Sequence, residues 1–137
     1  MDAALAKRLN ESFDTEIKEL QKISKSLNDL MQPRSKLMTQ KSENEMVQKE
    51  FKLLKSDAVV YKLVGPVLVK QELDDAKTNV DNRVKYLDTE LGRIEKQTKD
   101  LSEKLESQRK KVSGMQGQMK KIQQEAIQKQ LKAQAGK

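Results

Sequence analysis

Few side chains in this sequence could carry catalysis, and those that could are neighbouring carboxylates. The candidates are Asp74 with Asp75, and Glu43 with Glu45. Paired carboxylates work as general acids or bases where a pocket or a nearby charge shifts their pKa values. An exposed helix, which is what we expect around both pairs, has no such pocket. The chain also has no Cys and no His, so thiolate zinc ligands and imidazole bases are missing. We therefore predict a protein that is not an enzyme, with no catalytic, metal or cofactor site.

The positive charge is concentrated near one end of the sequence. The net charge is +7, from 28 Lys/Arg and 21 Asp/Glu residues. Residues 107–137 contain 8 basic residues and only one acidic residue, Glu125, which accounts for the whole excess. Such asymmetry is typical of a segment that meets an acidic partner, and a merely solvated surface is the alternative. Nucleic acid is disfavoured, because no aromatic residues alternate with the lysines to stack on bases.

The composition disfavours a compact globular domain. Hydrophobic residues make up 35% of the chain and charged residues 36%, with two Phe, two Tyr and no Trp. A typical globular domain has about 25% charged residues, and its core buries much aromatic surface. Disorder is the alternative for so polar a chain, and only the spacing of the apolar residues distinguishes the two. Because no apolar run approaches the roughly 18 residues of a membrane-spanning helix, we expect no membrane partner. Since Met1-Asp2-Ala3-Ala4 also lacks the basic start and apolar region of a signal peptide, we expect a cytoplasmic protein.

The second half of the sequence has the apolar spacing of a long coiled-coil helix. From Val80 to Ala126, apolar residues recur at alternating spacings of four and three, with exceptions at Thr98 and Gln108. This heptad seam requires a partner helix to cover it. The pattern predicts one helix over residues 72–132, followed by a disordered tail.

The first half repeats the pattern less regularly and predicts the partner helix over residues 1–55. Its seam is largely apolar from Ala6 to Leu30 and mostly polar between Arg34 and Gln48. Pro33 lies inside this segment, and a proline in a helix interior removes a hydrogen bond. Because no glycine or turn cluster accompanies the proline, the sequence predicts a kink near Leu30 to Pro33 rather than a helix end.

Between the helices, residues 56–71 have the composition of a β-hairpin. Two runs rich in β-branched residues, Ala58–Val64 and Val67–Lys70, flank the turn signal Gly65-Pro66. Both faces of the hairpin are expected to be apolar, and an isolated two-stranded hairpin is marginal in water. Strands of other chains are the simplest cover, and a turn that only caps the coiled coil is the alternative. The predicted assembly residues are Val59, Val60, Tyr61, Leu63, Val64, Gly65, Pro66, Val67, Leu68 and Val69.

A hairpin between two long helices returns the second helix antiparallel to the first. This arrangement predicts that Phe51 lies near Val80 and Phe13 near Gln118. The predicted fold class is mostly α: one domain over residues 1–137, an antiparallel two-helix coiled coil with one β-hairpin at its bend and a tail at 133–137. Both termini are expected far from the hairpin.

The hairpin sequence resembles the signature of β-type prefoldin subunits. The resemblance is carried by Val59–Leu73, with the sequence VVYKLVGPVLVKQEL, and continues through Ala76, Arg83, Tyr86 and Leu87. This motif is specific, whereas the heptads alone would fit many coiled coils. In architecture the resemblance covers nearly the whole chain, and Pro33 departs from the smoother first helix that the family leads us to expect.

The resemblance implies a cytosolic heterohexamer of α-type and β-type subunits whose hairpins join into β-barrels. It implies that the free ends of the coiled coils hold unfolded polypeptides, called clients below, and especially nascent actin and tubulin. The clients would pass to the group II chaperonin, and no ATP would be used. The alternative function is a structural coiled-coil adaptor or tether, which has no need for an apolar hairpin.

The ends that lie far from the hairpin contain the predicted binding residues. Gly114 and Gly117 each weaken the second helix by about 1 kcal/mol relative to alanine, so we expect fraying that exposes apolar side chains. Ordinary packing in the seam is the alternative. The predicted client contacts are Leu5, Leu9, Phe13, Met119, Ile122, Ile127 and Leu131, and the predicted chaperonin contacts are Lys120, Lys121 and Lys129.

Overall fold

Three α-helices and one β-hairpin make up the part of the chain described by a computed structural model, residues 3–136. Met1, Asp2 and Lys137, which we assigned to the first helix and to the tail, lie outside the described residues. None of the helices in the described part has an apolar stretch long enough to cross a bilayer. The elements are α1 (Ala3–Asp29), α2 (Met31–Leu53), β1 (Val60–Val64), β2 (Val67–Gln71) and α3 (Leu73–Ala135). The predicted mostly α fold with a single hairpin between long helices is confirmed.

The chain divides into two compact units. The first, called the terminal unit, contains α1 and the part of α3 from Thr98 onward. The second, called the hairpin unit, is Leu30–Gln97 and contains α2, both strands and the first part of α3.

In the terminal unit, α1 and α3 pack through their apolar seams. Ile23 of α1 is buried, as are Leu105 and Val112 of α3. The register between the helices follows from Glu16, which contacts Gln108 and Lys111. The predicted pairing of Phe13 with Gln118 would have placed Glu16 beside Met115, so that register is wrong by about one to two helical turns.

In the hairpin unit, the buried residues all belong to α3. They are Ala76, Val80, Leu87, Leu91 and Ile94. Side chains of α2 complete the seam as half-buried residues at the predicted heptad positions, including Leu37, Asn44 and Phe51. Gln48 of α2 donates a hydrogen bond to Asp81 of α3. The predicted pairing of Phe51 with Val80 would have placed Gln48 beside Arg83, so the register in this unit differs from the prediction by two residues.

The helix that we predicted over residues 1–55 is divided at a single residue, Leu30. Its backbone stays right-handed helical, with φ −80° and ψ −17°. Pro33 has no N–H to donate to the Asp29 carbonyl and its ring crowds that carbonyl, while the next N–H, of Arg34, bonds to Leu30 O at 3.1 Å. The prediction of a kink without a helix end is therefore wrong: α1 ends at Asp29 and α2 begins at Met31.

The outer ends of the helices also differ from the predicted bounds. α2 ends at Leu53 because Leu54 turns to extended angles, φ −78° and ψ 141°. α3 continues to Ala135, so the described part of the predicted disordered tail is helical up to that residue. The reason is local: Ala133 and Ala135 are strong helix formers, and the helix stops only before Gly136.

The strands β1 and β2 form a tight antiparallel hairpin with Val64 paired to Val67. The two residues between them are Gly65, with φ +58°, and Pro66. A two-residue hairpin turn of type II′ needs positive φ at its first central position, which glycine adopts at no steric cost. Proline suits the second position because its φ is already negative. The predicted hairpin and its turn are confirmed.

Candidate binding surfaces

The pairing of β1 with β2 makes both faces of the hairpin apolar. Paired residues point to the same side of a sheet, and successive residues alternate between sides. One face therefore carries Val60, Val64, Val67 and Val69 with Lys62 and Gln71, and the other carries Tyr61, Leu63 and Leu68 with Lys70.

Nearly all of this apolar surface is exposed. Val60 is half-buried, and the turn residues Gly65 and Pro66 are exposed. The two-stranded sheet also has a free edge on each side, with backbone groups available to pair with a further strand. Exposed apolar surface of this kind marks an interaction site. Seven large side chains are between 48% and 68% exposed: Val59, Tyr61, Leu63, Val64, Val67, Leu68 and Val69.

The seven predicted client-binding residues fall into two groups in the terminal unit. Leu5 of α1 is 55% exposed, and Ile127 and Leu131 of α3 are 51% and 59% exposed. The remaining four are half-buried in the helix seam: Leu9, Phe13, Met119 and Ile122. The structure therefore offers three of the seven side chains directly to a partner.

The exposure of the α3 residues does not require the fraying that we expected. The helix runs unbroken through Gly114 and Gly117 to Ala135. Beyond Ile122 every described residue is exposed, including Ala126 at a heptad position. The apolar side chains near the end of α3 are thus presented by an intact helix.

The basic residues of α3 divide into paired and unpaired groups. Lys110 lies 3.7 Å from Glu106 and Lys111 lies 3.0 Å from Glu16. Lys120, Lys121 and Lys129 are exposed, and they form no ion pair with any residue in the described range. The three predicted chaperonin contacts are therefore exposed cations without an ion pair among the described residues.

Three of the four carboxylates considered above as catalytic candidates lie beside a helix N-terminus or a lysine. Asp74 and Asp75 lie in the first turn of α3, where the helix dipole favours negative charge. Glu45 lies 3.6 Å from Lys41, one turn earlier in the same helix.

Three polar pairs form a ladder between α2 and α3 that the heptad pattern did not lead us to predict. Arg34 bonds to Glu95 at 3.1 Å, Lys41 to Asp88 at 2.6 Å, and Gln48 to Asp81 at 2.8 Å. Both sets of residues are spaced by seven, in opposite chain directions. The spacing in the sequence could have indicated this ladder. Three acidic residues of α3 are seven apart, and so are three polar heptad positions of α2.

The ladder explains why the α2 seam turns polar without losing its partner. Its ion-paired side chains are between 34% and 58% exposed, so solvent screens each pair and it adds little to stability. The hydrogen bond to Asp88 raises the pKa of the Lys41 ammonium. The contribution of the ladder is therefore mainly to hold the register and direction of the helix pair.

A second polar pair interrupts the seam of the terminal unit. Glu16 is half-buried and accepts a hydrogen bond from Gln108, and it also lies beside Lys111. The Gln108 hydrogen bond, and then Lys111, hold the pKa of the Glu16 carboxyl below its ordinary value. The sequence shows both residues as separate interruptions of the heptads, with no indication that they meet.

Comparison with known proteins identifies the family of the chain. The chain matches the sequence profile of the family described as "Prefoldin subunit" over residues 14–119. It is 38% identical over 123 residues to prefoldin subunit 6 of Arabidopsis thaliana, covering 90% of this chain and 95% of the relative. It is 37% identical over 119 residues to prefoldin subunit 6 of Homo sapiens, covering 87% of this chain and 92% of the relative. Both of these relatives are named prefoldin subunit 6.

The fold has a close counterpart among solved structures. The crystal structure of the prefoldin beta subunit from Thermococcus strain KS-1 superposes with a TM-score of 0.71 at 27% sequence identity. The superposition covers 75% of this chain and 90% of the archaeal one.

Proposed function

Since the chain belongs to the prefoldin subunit family and is of its β type, we propose that it works as one subunit of a hexameric prefoldin co-chaperone. In this role it captures unfolded or nascent polypeptides, actin and tubulin among them. It then delivers them to the group II chaperonin in the cytoplasm without using ATP. Its partners in the complex are other α-type and β-type prefoldin subunits.

The hairpin is the observation that carries this proposal. Six large apolar side chains, between 48% and 68% exposed, lie on two strands that have free edges, and Val59, 54% exposed, directly precedes the first strand. Burial of such a side chain contributes roughly 1.5–3 kcal/mol relative to full exposure, so a hairpin of this kind is expected to be covered in the working protein. Strands from neighbouring subunits satisfy the backbone edges and the apolar faces together.

Client capture is assigned to the terminal unit, which holds Leu5, Ile127 and Leu131 with exposed side chains. A single unit offers only a few apolar contacts, so it binds weakly and releases quickly. When several subunits are joined through their hairpins, their terminal units together gain avidity without any new contact. Weak individual sites suit a chaperone that accepts many sequences and releases them without ATP.

Contact with the chaperonin is assigned to the free cations Lys120, Lys121 and Lys129. They are exposed on α3 and belong to the segment that contains the whole excess of positive charge. An acidic patch on the chaperonin would attract them, and salt would weaken the attraction.

The composition of the native complex tests the proposal. The chain, tagged at one end, is purified from its own cells and the masses of the chains that accompany it are measured. We expect five further small coiled-coil proteins in equal amounts. We also expect the complex to suppress the aggregation of actin that has been unfolded in guanidinium chloride. A chain that is purified alone, or one bound to a filament or vesicle without such subunits, would support a tether instead.

A further inference from the structure

The last part of α3, residues 123–135, has no helix packed against it within the described terminal unit. The helices run antiparallel from the contact of Glu16 with Gln108, so Ala3, where α1 begins, lies about level with Ile122. Every described residue beyond Ile122 is exposed, and the shallow depression on this segment is lined by α3 residues alone among those described. The segment is therefore a single helix, about 20 Å long, that is open on all sides.

Apolar side chains lie on two opposite sides of this segment. One stripe continues the heptad seam with Ile122, which is half-buried, and Ala126, which is exposed. The other stripe consists of Ile127 and Leu131, which are 51% and 59% exposed. Leu131 follows Ile122 by nine residues, and at about 100° per residue the two side chains point about 180° apart. A partner that covers both stripes must therefore hold the helix from both sides.

The charge of the segment favours an acidic partner. Four lysines and one glutamate surround the two stripes, and all five side chains are exposed: Lys120, Lys121, Glu125, Lys129 and Lys132. An excess of cations on a helix with apolar stripes is the pattern of a membrane-surface helix or of a calmodulin target. A membrane surface would bury only one side of the helix, so the opposed stripes favour the calmodulin type of partner.

A Ca²⁺-loaded EF-hand sensor has the properties that the segment requires. Binding of Ca²⁺ opens a methionine-rich apolar groove in each of its lobes, and the two lobes can close on opposite sides of one helix. Such sensors recognise an amphipathic helix by the apolar side chains that enter the grooves. Their acidic surface also complements the lysines of α3.

We infer that residues 119–135 of α3 bind a two-lobed, acidic EF-hand Ca²⁺ sensor, with Ile122 in one lobe and Leu131 in the other. The same segment contains Lys120, Lys121 and Lys129, so a bound sensor would exclude the chaperonin. Only this consequence for docking rests on the proposed function. Binding of the sensor does not, and the two are measured separately.

The test is a titration of the native complex against purified calmodulin that carries a dansyl fluorophore. We expect a saturable change in fluorescence in the presence of CaCl₂ and none in EGTA, because the apolar grooves open only when Ca²⁺ is bound. In CaCl₂, an excess of calmodulin should also lower the binding of the complex to the purified chaperonin.

Substitutions in this chain assign the binding to the two stripes. Ile122→Ser and Leu131→Ser should each lower the affinity by about tenfold or more, the loss that corresponds to one buried apolar side chain. Because Leu131 is exposed, its replacement should leave the helical circular dichroism unchanged. The matched control is Met46→Ser, which removes a side chain that is 63% exposed on α2 and should leave the affinity for calmodulin unchanged.

Three results would overturn the inference. A complex that suppresses actin aggregation but shows no binding in CaCl₂ would reject the sensor and leave the chaperone function standing. Equal binding in CaCl₂ and EGTA would show that charge alone attracts calmodulin. An affinity that falls with Ile122→Ser but not with Leu131→Ser, or the reverse, would reject a partner that holds both sides of the helix.

Discussion

Gln108 of α3 donates hydrogen bonds to Glu16 of α1, at 2.9 Å to the backbone carbonyl and 2.6 Å to Oε2. Each residue interrupts an otherwise apolar run of heptad positions, so two apparent defects of the sequence satisfy each other. A polar pair in a coiled-coil seam lowers stability and selects one register. We assign this role to Glu16 and Gln108 in the terminal unit.

Replacing both members of the pair should stabilise the helices. In the double variant Glu16→Leu with Gln108→Leu, the seam becomes continuous and apolar, and no polar group loses its partner. The midpoint of thermal unfolding, followed by circular dichroism, should rise above that of the wild type. Gln108→Leu alone should lower the midpoint, because Glu16 then loses its hydrogen-bond donor and keeps only Lys111. A lower midpoint in the double variant would show that the pair stabilises the unit instead of selecting its register.

The same pair predicts a dependence on pH. The folded chain lowers the pKa of Glu16 below its ordinary value of 4.5, so the folded chain is more stable with Glu16 ionised than with Glu16 protonated. This contribution of the ionised carboxylate is fully present above pH 4.5 and is lost as pH falls through the folded pKa. A carbon-13 NMR titration of the Glu16 carboxyl should give a pKa below 4.5. In Gln108→Ala it should move back towards the ordinary value, since the hydrogen bond is the larger cause. An unchanged pKa in that variant would assign the shift to Lys111.

Assembly should fail when charge is placed on the hairpin. Val60→Asp with Val67→Asp adds two carboxylates to one face of the sheet, and burying each without a partner costs several kcal/mol. The variant should keep its helical circular dichroism and be absent from the hexamer peak in size-exclusion chromatography. Ser56→Asp, just outside the strands, is the control and should assemble. Entry of the double variant into the hexamer would end the case for assembly through the hairpin.

Charge reversal on α3 should weaken docking to the chaperonin. We expect a complex with Lys120→Glu, Lys121→Glu and Lys129→Glu to bind the purified chaperonin less tightly, by surface plasmon resonance, and to capture unfolded actin as before. Added salt should weaken the wild-type contact in the same way. The control is charge reversal at Lys36, an exposed lysine of α2. Docking that responds neither to salt nor to the triple change would leave these lysines with a role in solubility only.

Removal of the chain ends should reduce client protection without preventing assembly. Deletion of residues 1–12 and 119–137 removes Leu5, Ile127 and Leu131 and leaves the hairpin unit intact. A complex that contains the truncated chain should suppress the aggregation of unfolded actin less well, as measured by light scattering. If all subunits were shortened in this way and protection stayed complete, clients would bind elsewhere, along the coiled coil or on the assembled hairpins.

Most elements of the fold could be predicted from the sequence because their signals are local. The heptad spacing of α3 predicts which side of the helix is covered, and every heptad position from Val80 to Ile122 is buried or half-buried. The Gly65-Pro66 pair predicts the hairpin turn by the backbone angles that each residue adopts. The division of the first helix at Leu30 was harder to predict, because Pro33 permits either a kink or an interruption of the hydrogen bonds.

By itself, the sequence determined the helices, the hairpin, the faces of each that need cover, and the family. Only the tertiary structure decided the register between the helices. The reason is that apolar contacts have no direction and the seam repeats every seven residues, so several registers bury similar surface. Directional contacts choose among them: Gln108 with Glu16 in the terminal unit, and the pairs from Arg34–Glu95 to Gln48–Asp81 in the hairpin unit.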